Sequence, residues 1–547
     1  MGNGISFTDT AGQGSLQLNI ENNGWKFTNQ FDLSGSSRKN EALRFSELGA
    51  RAPSVDLSSY QILVEKGRFK AQFGHVSFGT QKHLINGFSS RGIVVNVPVS
   101  QQNEVIFTAL NGSAIVGFDN FTGITRAKHQ VLAATFAREF FKERPGGLRL
   151  EITAMHGSLL PITGINERAV TDAEKNFGGT IRLLFKDKKE RLRFEGGFTR
   201  SRFINPPDPN LEQNQQVTTI RPVTRNARFF EVSYDFLQNF KITENRRLKL
   251  TGTFRHEEIE PLFRSVVAST QADKRQNQFE ITANLGDINF TYGNLRDRDN
   301  LRHIPSILET LNRRNNLIIS VPLGTLFNQS KPKKWLPNVS YNYDHVHQFG
   351  LFLPVNGDFR DVSQVPDQDS FSKNFNAEWT FSPKFHTGYR YSRSFQDNKQ
   401  TGRERADFLN TSHGVTIGTQ FYQNLDLNFE LSRERARNFE QPRLDNTFRF
   451  NTNLIWREAL LKNLTLSTNF STTFAGDAAN TNKSRDASFD VQIVYKLELG
   501  KEKFKKMNAQ VFIRYANAYG NRFDRIFLLN DFNKHQAFNM GLTFNFF

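Results

Sequence analysis

A strict alternation of apolar and polar residues recurs along almost the whole chain, and it constrains the fold more than any other feature. His535 to Phe547 places Phe538, Met540, Leu542, Phe544 and Phe546 on one face, with Asn539, Gly541, Thr543 and Asn545 on the other. Ala487, Phe489, Val491, Ile493, Tyr495 and Leu497 oppose Ser488, Asp490, Gln492, Lys496 and Glu498. Apolar sets with the same period begin at Leu464, Phe448, Leu425, Leu248 and Leu148. Successive side chains of a β-strand point to opposite faces, so a period of two reads as strands with one apolar face. There are more such strands than a soluble core has use for.

Composition fits that pattern. Of 547 residues 54 are Phe, yet only 37% of the chain is apolar. No run approaches the roughly eighteen apolar residues of a membrane-spanning helix. The chain has no cysteine, which excludes a disulfide framework, a thiolate metal site and a Cys nucleophile. It is too aromatic for a disordered chain. A chain that turns only alternate strand residues to lipid is rich in Phe and low in mean hydropathy at once.

The segment Asn539-Met-Gly541-Leu-Thr-Phe544-Asn-Phe546-Phe547 resembles the C-terminal assembly signal of Gram-negative bacterial outer-membrane β-barrels. That signal runs polar, any, Gly, any, any, apolar, any, apolar, with an aromatic at or near the end. The resemblance implies that Asn539, Gly541, Phe544, Phe546 and Phe547 are read by the barrel-assembly machinery through strand pairing. It also implies a location in the bacterial cell outer membrane, among outer-membrane lipid and lipopolysaccharide. In strand count and outward pattern the chain resembles the large export barrels of Gram-negative envelopes. It carries no motif specific to lipopolysaccharide insertion, fimbrial ushers, TonB-dependent uptake or the type IX translocon.

The connections alternate in length, as short periplasmic turns and longer outer loops do. The short set includes 65–68, 143–146, 187–189, 241–245, 285–287, 382–384, 423–424, 459–462 and 500–504. The long set includes 36–57, 161–173, 205–226, 261–276, 299–315, 350–369, 397–412, 438–445, 476–483 and 521–534. Residues 325–336 are long on the short side. The reading is all-β, a large closed antiparallel transmembrane β-barrel of about 24–26 strands. Residues 24–547 supply about 24, and the N-terminal segment 1–23 has room for one more hairpin, keeping the number even. Met1 to Thr8 has neither a basic nor an apolar leader region, so a signal peptide is expected to lie outside this sequence.

Inward positions carry a basic wall: Arg149, Arg182, Arg191, Arg193, Arg247, Lys249, Arg255, Arg390, Arg449, Arg457 and Arg514, with Lys496. Carboxylates at 151, 195, 231, 235, 426, 430 and 490 interleave with them. One reading pairs these charges across strands. The other makes a net positive field that draws anionic solutes. The net charge of +17 also counts loops and basic turns such as 187–189, 331–334 and 500–503, whose expected contacts are inner-leaflet phosphates and water. It calls for no nucleic-acid partner. His303 to Arg314 has Pro305 at a first helical position and Ile304, Ile307, Leu308 and Leu311 at helical spacing, which predicts a short helix in an outer loop. His345 and His347 share a strand face with Tyr341 and Tyr343, which fits an interfacial ring better than a metal site. No metal or cofactor site is expected. His83, His129, His156, His256, His413 and His535 lie near strand ends, but none pairs with a nucleophile in the sequence, and no enzyme is expected.

The expected function is an outer-membrane channel or translocation conduit for a bulky substrate, anionic if the wall is positive. So wide a barrel leaks unless plugged or gated, by its own loops, a missing N-terminal domain or a periplasmic partner protein. The alternatives are a passive diffusion porin with inward-folded outer loops and a non-conducting structural or adhesin barrel.

Overall fold

The computed structural model describes residues 11–112, 117–119, 121–124, 129–159, 174–204, 221–244, 246–304, 307–326, 333, 335–352, 363, 365–459, 461–499 and 507–545. They form one antiparallel sheet of 25 strands in which sequence neighbours are ladder neighbours throughout.

The first arc holds β1 (Ala11–Asn22), β2 (Trp25–Ser36), β3 (Val55–Lys66), β4 (Phe69–Gln81), β5 (Ile85–Pro98), β6 (Asn103–Asn111), β7 (Gln130–Glu139) and β8 (Leu148–Leu159). It continues through β9 (Glu174–Lys186), β10 (Leu192–Ile204), β11 (Val223–Thr243), β12 (Arg246–Ile259) and β13 (Lys274–Leu285). The second arc holds β14 (Ile288–Arg298), β15 (Glu309–Pro322), β16 (Asn338–Phe352), β17 (Asp367–Ser382), β18 (Phe385–Asn398) and β19 (Phe408–Tyr422). It ends with β20 (Leu425–Asn438), β21 (Arg443–Arg457), β22 (Leu464–Asp477), β23 (Asn482–Leu499), β24 (Met507–Asp524) and β25 (Leu529–Asn545). The first and last strands come against each other, so the sheet curls into a nearly closed barrel.

The strands after residue 24 number 24, as the alternation predicts. The N-terminal segment adds one described strand, β1, paired with β2 over Ala11↔Ser36 to Asn22↔Trp25; residues 1–10 lie outside the described residues. Among the described residues the count is therefore 25, and β1 and β25 run in the same direction. This lies within the expected 24–26; the first half of the expected N-terminal hairpin falls on residues outside the described ones.

Period-two alternation sets the two faces. In β7, Leu132, Ala134 and Phe136 are exposed, whereas Val131, Ala133, Thr135 and Ala137 are buried. The ladder carries that inner face round the barrel without a break in facing. Ala133 pairs with Met155, and far downstream Ser412 pairs with Glu434 and Glu434 with Thr447. The outer face stays apolar, as at Phe429, Leu431, Phe448, Phe474 and Phe489.

Connections alternate between the two rims. Tight turns at 23–24, 67–68, 286–287, 383–384 and 423–424 lie at one rim. The longer 37–54, 112–129 and 260–273 lie at the other. The connection after β15 remains the departure, with a one-turn helix at Leu323–Leu326. The predicted short turn 500–504 lies outside the described residues.

Two expectations change. Three long connections shrink to 439–442, 478–481 and 525–528, because alternation runs on and the strands extend further than expected. At roughly 3.3 Å per residue, the 18 residues of β23 are far longer than a crossing requires. The predicted helix over 303–314 is overturned: Glu309 to Arg314 belong to β15 and pair with β14 and β16. Leu311 and Arg313 alternate with Asn312 and Arg314 there, and ladder bonding outweighs a helical spacing of four apolar residues. Pro305 lies outside the described residues.

Candidate conduit and its inward-folded loops

The lumen is not lined evenly. On the arc from β4 to β8, inner side chains that would face water in an open barrel are buried instead. Val76, Val94, Leu110, Val131, Ala133 and Met155 form one apolar cluster with Leu84, Ile85 and Val267. Val267 comes from the connection after β12, Leu84 from the bend between β4 and β5, and Ile85 from the start of β5.

These two segments meet across the interior. Ile85 bridges Val267 in parallel, and the Asn86 amide donates to the Val267 carbonyl at 3.2 Å. Ser265 Oγ donates to the Leu84 carbonyl at 2.6 Å. Lys82 Nζ lies 3.0 Å from Glu257 of β12. His83 sits edge-on to Phe229 of β11 at 5.5 Å and to Phe263 at 6.3 Å. Strands β4 and β12 are eight ladders apart along the wall, about 38 Å at 4.8 Å per strand, so this contact is a chord across the lumen. The far end is anchored to the wall: Ser201 Oγ donates to the Arg264 carbonyl at 2.6 Å, and Arg264 pairs with Glu174 at 2.6 Å.

A second connection folds inward beside it. The Gly117 amide donates to the Leu57 carbonyl at 2.8 Å. Arg91, fully buried, donates to the Gly117 carbonyl at 2.6 Å. Phe121 stacks on Tyr60 with centroids 4.2 Å apart, and the Tyr60 hydroxyl donates to the Phe121 carbonyl.

Below the chord the wall is charged and compensated. Arg149 contacts Glu104, Glu139 at 3.2 Å and Glu151 at 2.7 Å. Arg182 reaches Glu151 at 3.1 Å and Glu195 at 2.9 Å. Arg193 and Lys249 share the buried Asp235. Arg255 joins Glu231 and Glu280. On the second arc Arg390 meets Glu430, Arg449 meets Glu434, Arg457 meets Asp426 and Arg514 meets Asp490. Arg191, in the turn before β10, and Arg247 make no ion pair among the described residues. The geometry favours cross-strand pairing over a net positive wall, because each bridged cation faces a carboxylate on a neighbouring strand, except Arg390, which reaches past β19 to Glu430.

The inner face of the second arc differs in kind. It is mostly amide and hydroxyl. Ser392 Oγ donates to Asn374 at 2.7 Å, and Ser471 Oγ to Asn451 at 2.7 Å. A recess of about 630 Å³ lies among Glu378, His386, Asn428, Asn451 and Asn469. No buried apolar cluster forms on this arc among the described residues.

The assembly-signal residues lie on β25. Asn539 pairs with Arg514, Gly541 with Phe512 and Phe544 with Ala509; Phe546 and Phe547 lie outside the described residues. The Phe512 ring occupies the space a Cβ on Gly541 would take. His345 stacks on Phe371 at 4.4 Å and bonds Asp369 at 2.8 Å, and His347 bonds Asp367 at 2.9 Å. Among the described residues no cluster of three or more His, Asp or Glu could hold a metal ion. His129 Nδ1 lies 2.9 Å from Ser158 Oγ, a pairing their separation in sequence hides. Of the chord residues, the sequence singles out His83 alone, as a histidine near a strand end, and not Ile85, Glu257, Ser265 or Val267. Their one signal is an apolar Leu262-Phe263 and Val266-Val267 in a loop that alternation leaves unexplained.

No family model matches the chain, and no curated protein matches it. Among solved structures, OmpT, an outer membrane protein of Vibrio cholerae, aligns over 67% of this chain and 96% of its own, at 8% identity and a TM-score of 0.26. The P pilus usher (PapC) translocation pore aligns over 98% of both chains, at 8% identity and a TM-score of 0.30.

Proposed function

We propose that the chain is an outer-membrane conduit narrowed by its own loops, with the polar second arc as the path. The observation that carries this reading is the chord from the β4–β5 bend to the connection after β12. A wall of alternating strands needs no such chord to fold, and an apolar contact built inside an aqueous lumen serves to divide it. The path beside it offers amides, hydroxyls and paired charges. That lining suits a bulky hydrated solute whose hydration is exchanged for hydrogen bonds, and it does not favour anions. A plugging periplasmic partner would seat on the same arc. The outer-membrane location rests on the apolar outer face and on the C-terminal motif. Deleting Phe547 is expected to block assembly, read as loss of heat-modifiable mobility; normal mobility would count against the signal.

The test is single-channel recording in planar bilayers on an Ile85→Cys, Val267→Cys variant. The native chain has no thiol to compete, and paired residues on adjacent strands lie about 5 Å apart, within disulfide reach. Oxidation is expected to abolish large, noisy openings and reduction to restore them. The uncovered second arc favours one other reading, a passive porin, which predicts steady openings indifferent to the cross-link. Silence in every state would overturn both.

A further inference from the structure

Inward guanidinium groups are nearly all paired with carboxylates; a group of outward ones is not. On β20, Arg433, Arg435 and Arg437 are exposed on the outer face, at the rim of the longer connections. On β23, Lys483 and Arg485 share that face and rim and are also exposed. None of the five has an ion pair among the described residues. The carboxylates nearest in sequence, Glu434 and Asp486, alternate to the inner face, and Glu434 is engaged there by Arg449.

The ladder fixes how these cations lie. One row runs Arg433, Phe448, Phe474, Arg485, and the next runs Arg435, Asn446, Gly476, Lys483. Each row spans three strand spacings, about 14 Å, with a cation at either end. Between the ends is a groove of about 730 Å³ floored by Phe448 and Phe474. A second recess of about 350 Å³ adjoins it at Arg433, Arg435 and Arg437. Towards the middle of the barrel the same face loses its charges and turns largely apolar at Leu431, Phe450, Phe470 and Phe489, with Thr452 and Thr472 between them.

Five like charges gathered on the lipid-facing side are not a solvation device. An outward cation in hydrocarbon is costly, and the cost fades only near the interface. Together at the interface they repel one another unless an anion lies between. Guanidinium forks match phosphate oxygens in pairs. The rim of longer connections is the extracellular one in barrels of this architecture.

We infer that this face binds a phosphorylated glycolipid of the outer leaflet. A disaccharide headgroup with a phosphate at each end would bridge the two cationic strands, and its acyl chains would lie on the apolar face below. The inference rests on the outer-membrane reading above and is independent of conduction.

The test uses the full chain refolded into vesicles of zwitterionic lipid. The probes are bisphosphorylated lipid A, its dephosphorylated form, phosphatidylglycerol and inorganic phosphate, each added separately. Bisphosphorylated lipid A is expected to bind at least tenfold more tightly than the other lipids and to be retained in native mass spectra; phosphate alone is expected not to bind detectably. The R433Q/R435Q/R437Q and K483Q/R485Q variants are each expected to lose at least tenfold in affinity while keeping heat-modifiable mobility. Equal binding of the dephosphorylated lipid or of phosphatidylglycerol would overturn the inference. So would saturation by phosphate alone, or unchanged affinity in both variants. Failure of the wild-type chain to insert into vesicles would overturn the outer-membrane reading instead; insertion without glycolipid binding would overturn this inference only.

Discussion

Arg149 holds three carboxylates that would otherwise repel one another inside a low-dielectric wall. Glu104, Glu139 and Glu151 are all buried, and each contacts its guanidinium. Removing one partner of a buried set strands the others, which costs about 3–5 kcal/mol. Arg149→Met should therefore lower unfolding stability by that order in urea titration. Arg457→Met, which breaks the exposed bridge to Asp426, should cost under about 1 kcal/mol. His83 works in the other direction. Burial between the chord and β11 pushes its pKa down from 6.5 to about 4, against the pull of Glu257 and with the help of Lys82. It is neutral in the docked chord and protonates more readily once released. Docking is therefore at full strength above pH 6.5 and weakens as pH falls from 6.5 towards 4, by up to about 3 kcal/mol. Open probability in bilayers should rise across that window, and His83→Phe, which keeps the ring against Phe229 and Phe263, should flatten the response.

At the scale of elements, the β3–β4 ladder ends at Gln61↔Gly74, and Gly74 has a φ of +96°. A Cβ there would strike the Tyr60 carbonyl and ring, and Tyr60 is what holds Phe121. Gly74→Ala should cost about 1–3 kcal/mol in backbone strain and release the 117–124 segment to protease without unfolding the sheet. The strands themselves were legible because facing is a local property; Phe448 and Arg449 declare their sides without reference to any distant residue. The loops were not. Ile85 and Val267 meet across about a third of the chain, and nothing local in either predicts the other. Three hairpins were read as long loops because Asn, Arg and Lys interrupt the apolar face where strands leave the bilayer, as at Asn521 and Lys534. The start of β15 was read as helix for the same reason: Arg313 and Asn315 occupy its outward positions.

At the scale of the whole molecule, wall and contents are separable in energy. The wall is stabilised by its ladders, the chord by a small apolar cluster and a few polar contacts. The charged pairs were visible in the sequence as candidates, yet only register shows that Arg182 serves both Glu151 and Glu195. That register turns a wall rich in arginine into a nearly balanced one. It leaves uncompensated charge outside, at the level of the headgroups.

The odd number of described strands gives the sheet a direction. In a barrel with an even number, the chain enters and leaves at the same rim; here β1 and β25 run alike. The chain enters the sheet among the longer connections and leaves it among the tight turns. An epitope inserted directly ahead of Ala11 and one inserted in the tight turn 423–424, at the rim where β25 ends, should lie on opposite sides of the membrane. Antibody labelling of intact cells is expected to stain the first and miss the second until the envelope is permeabilised.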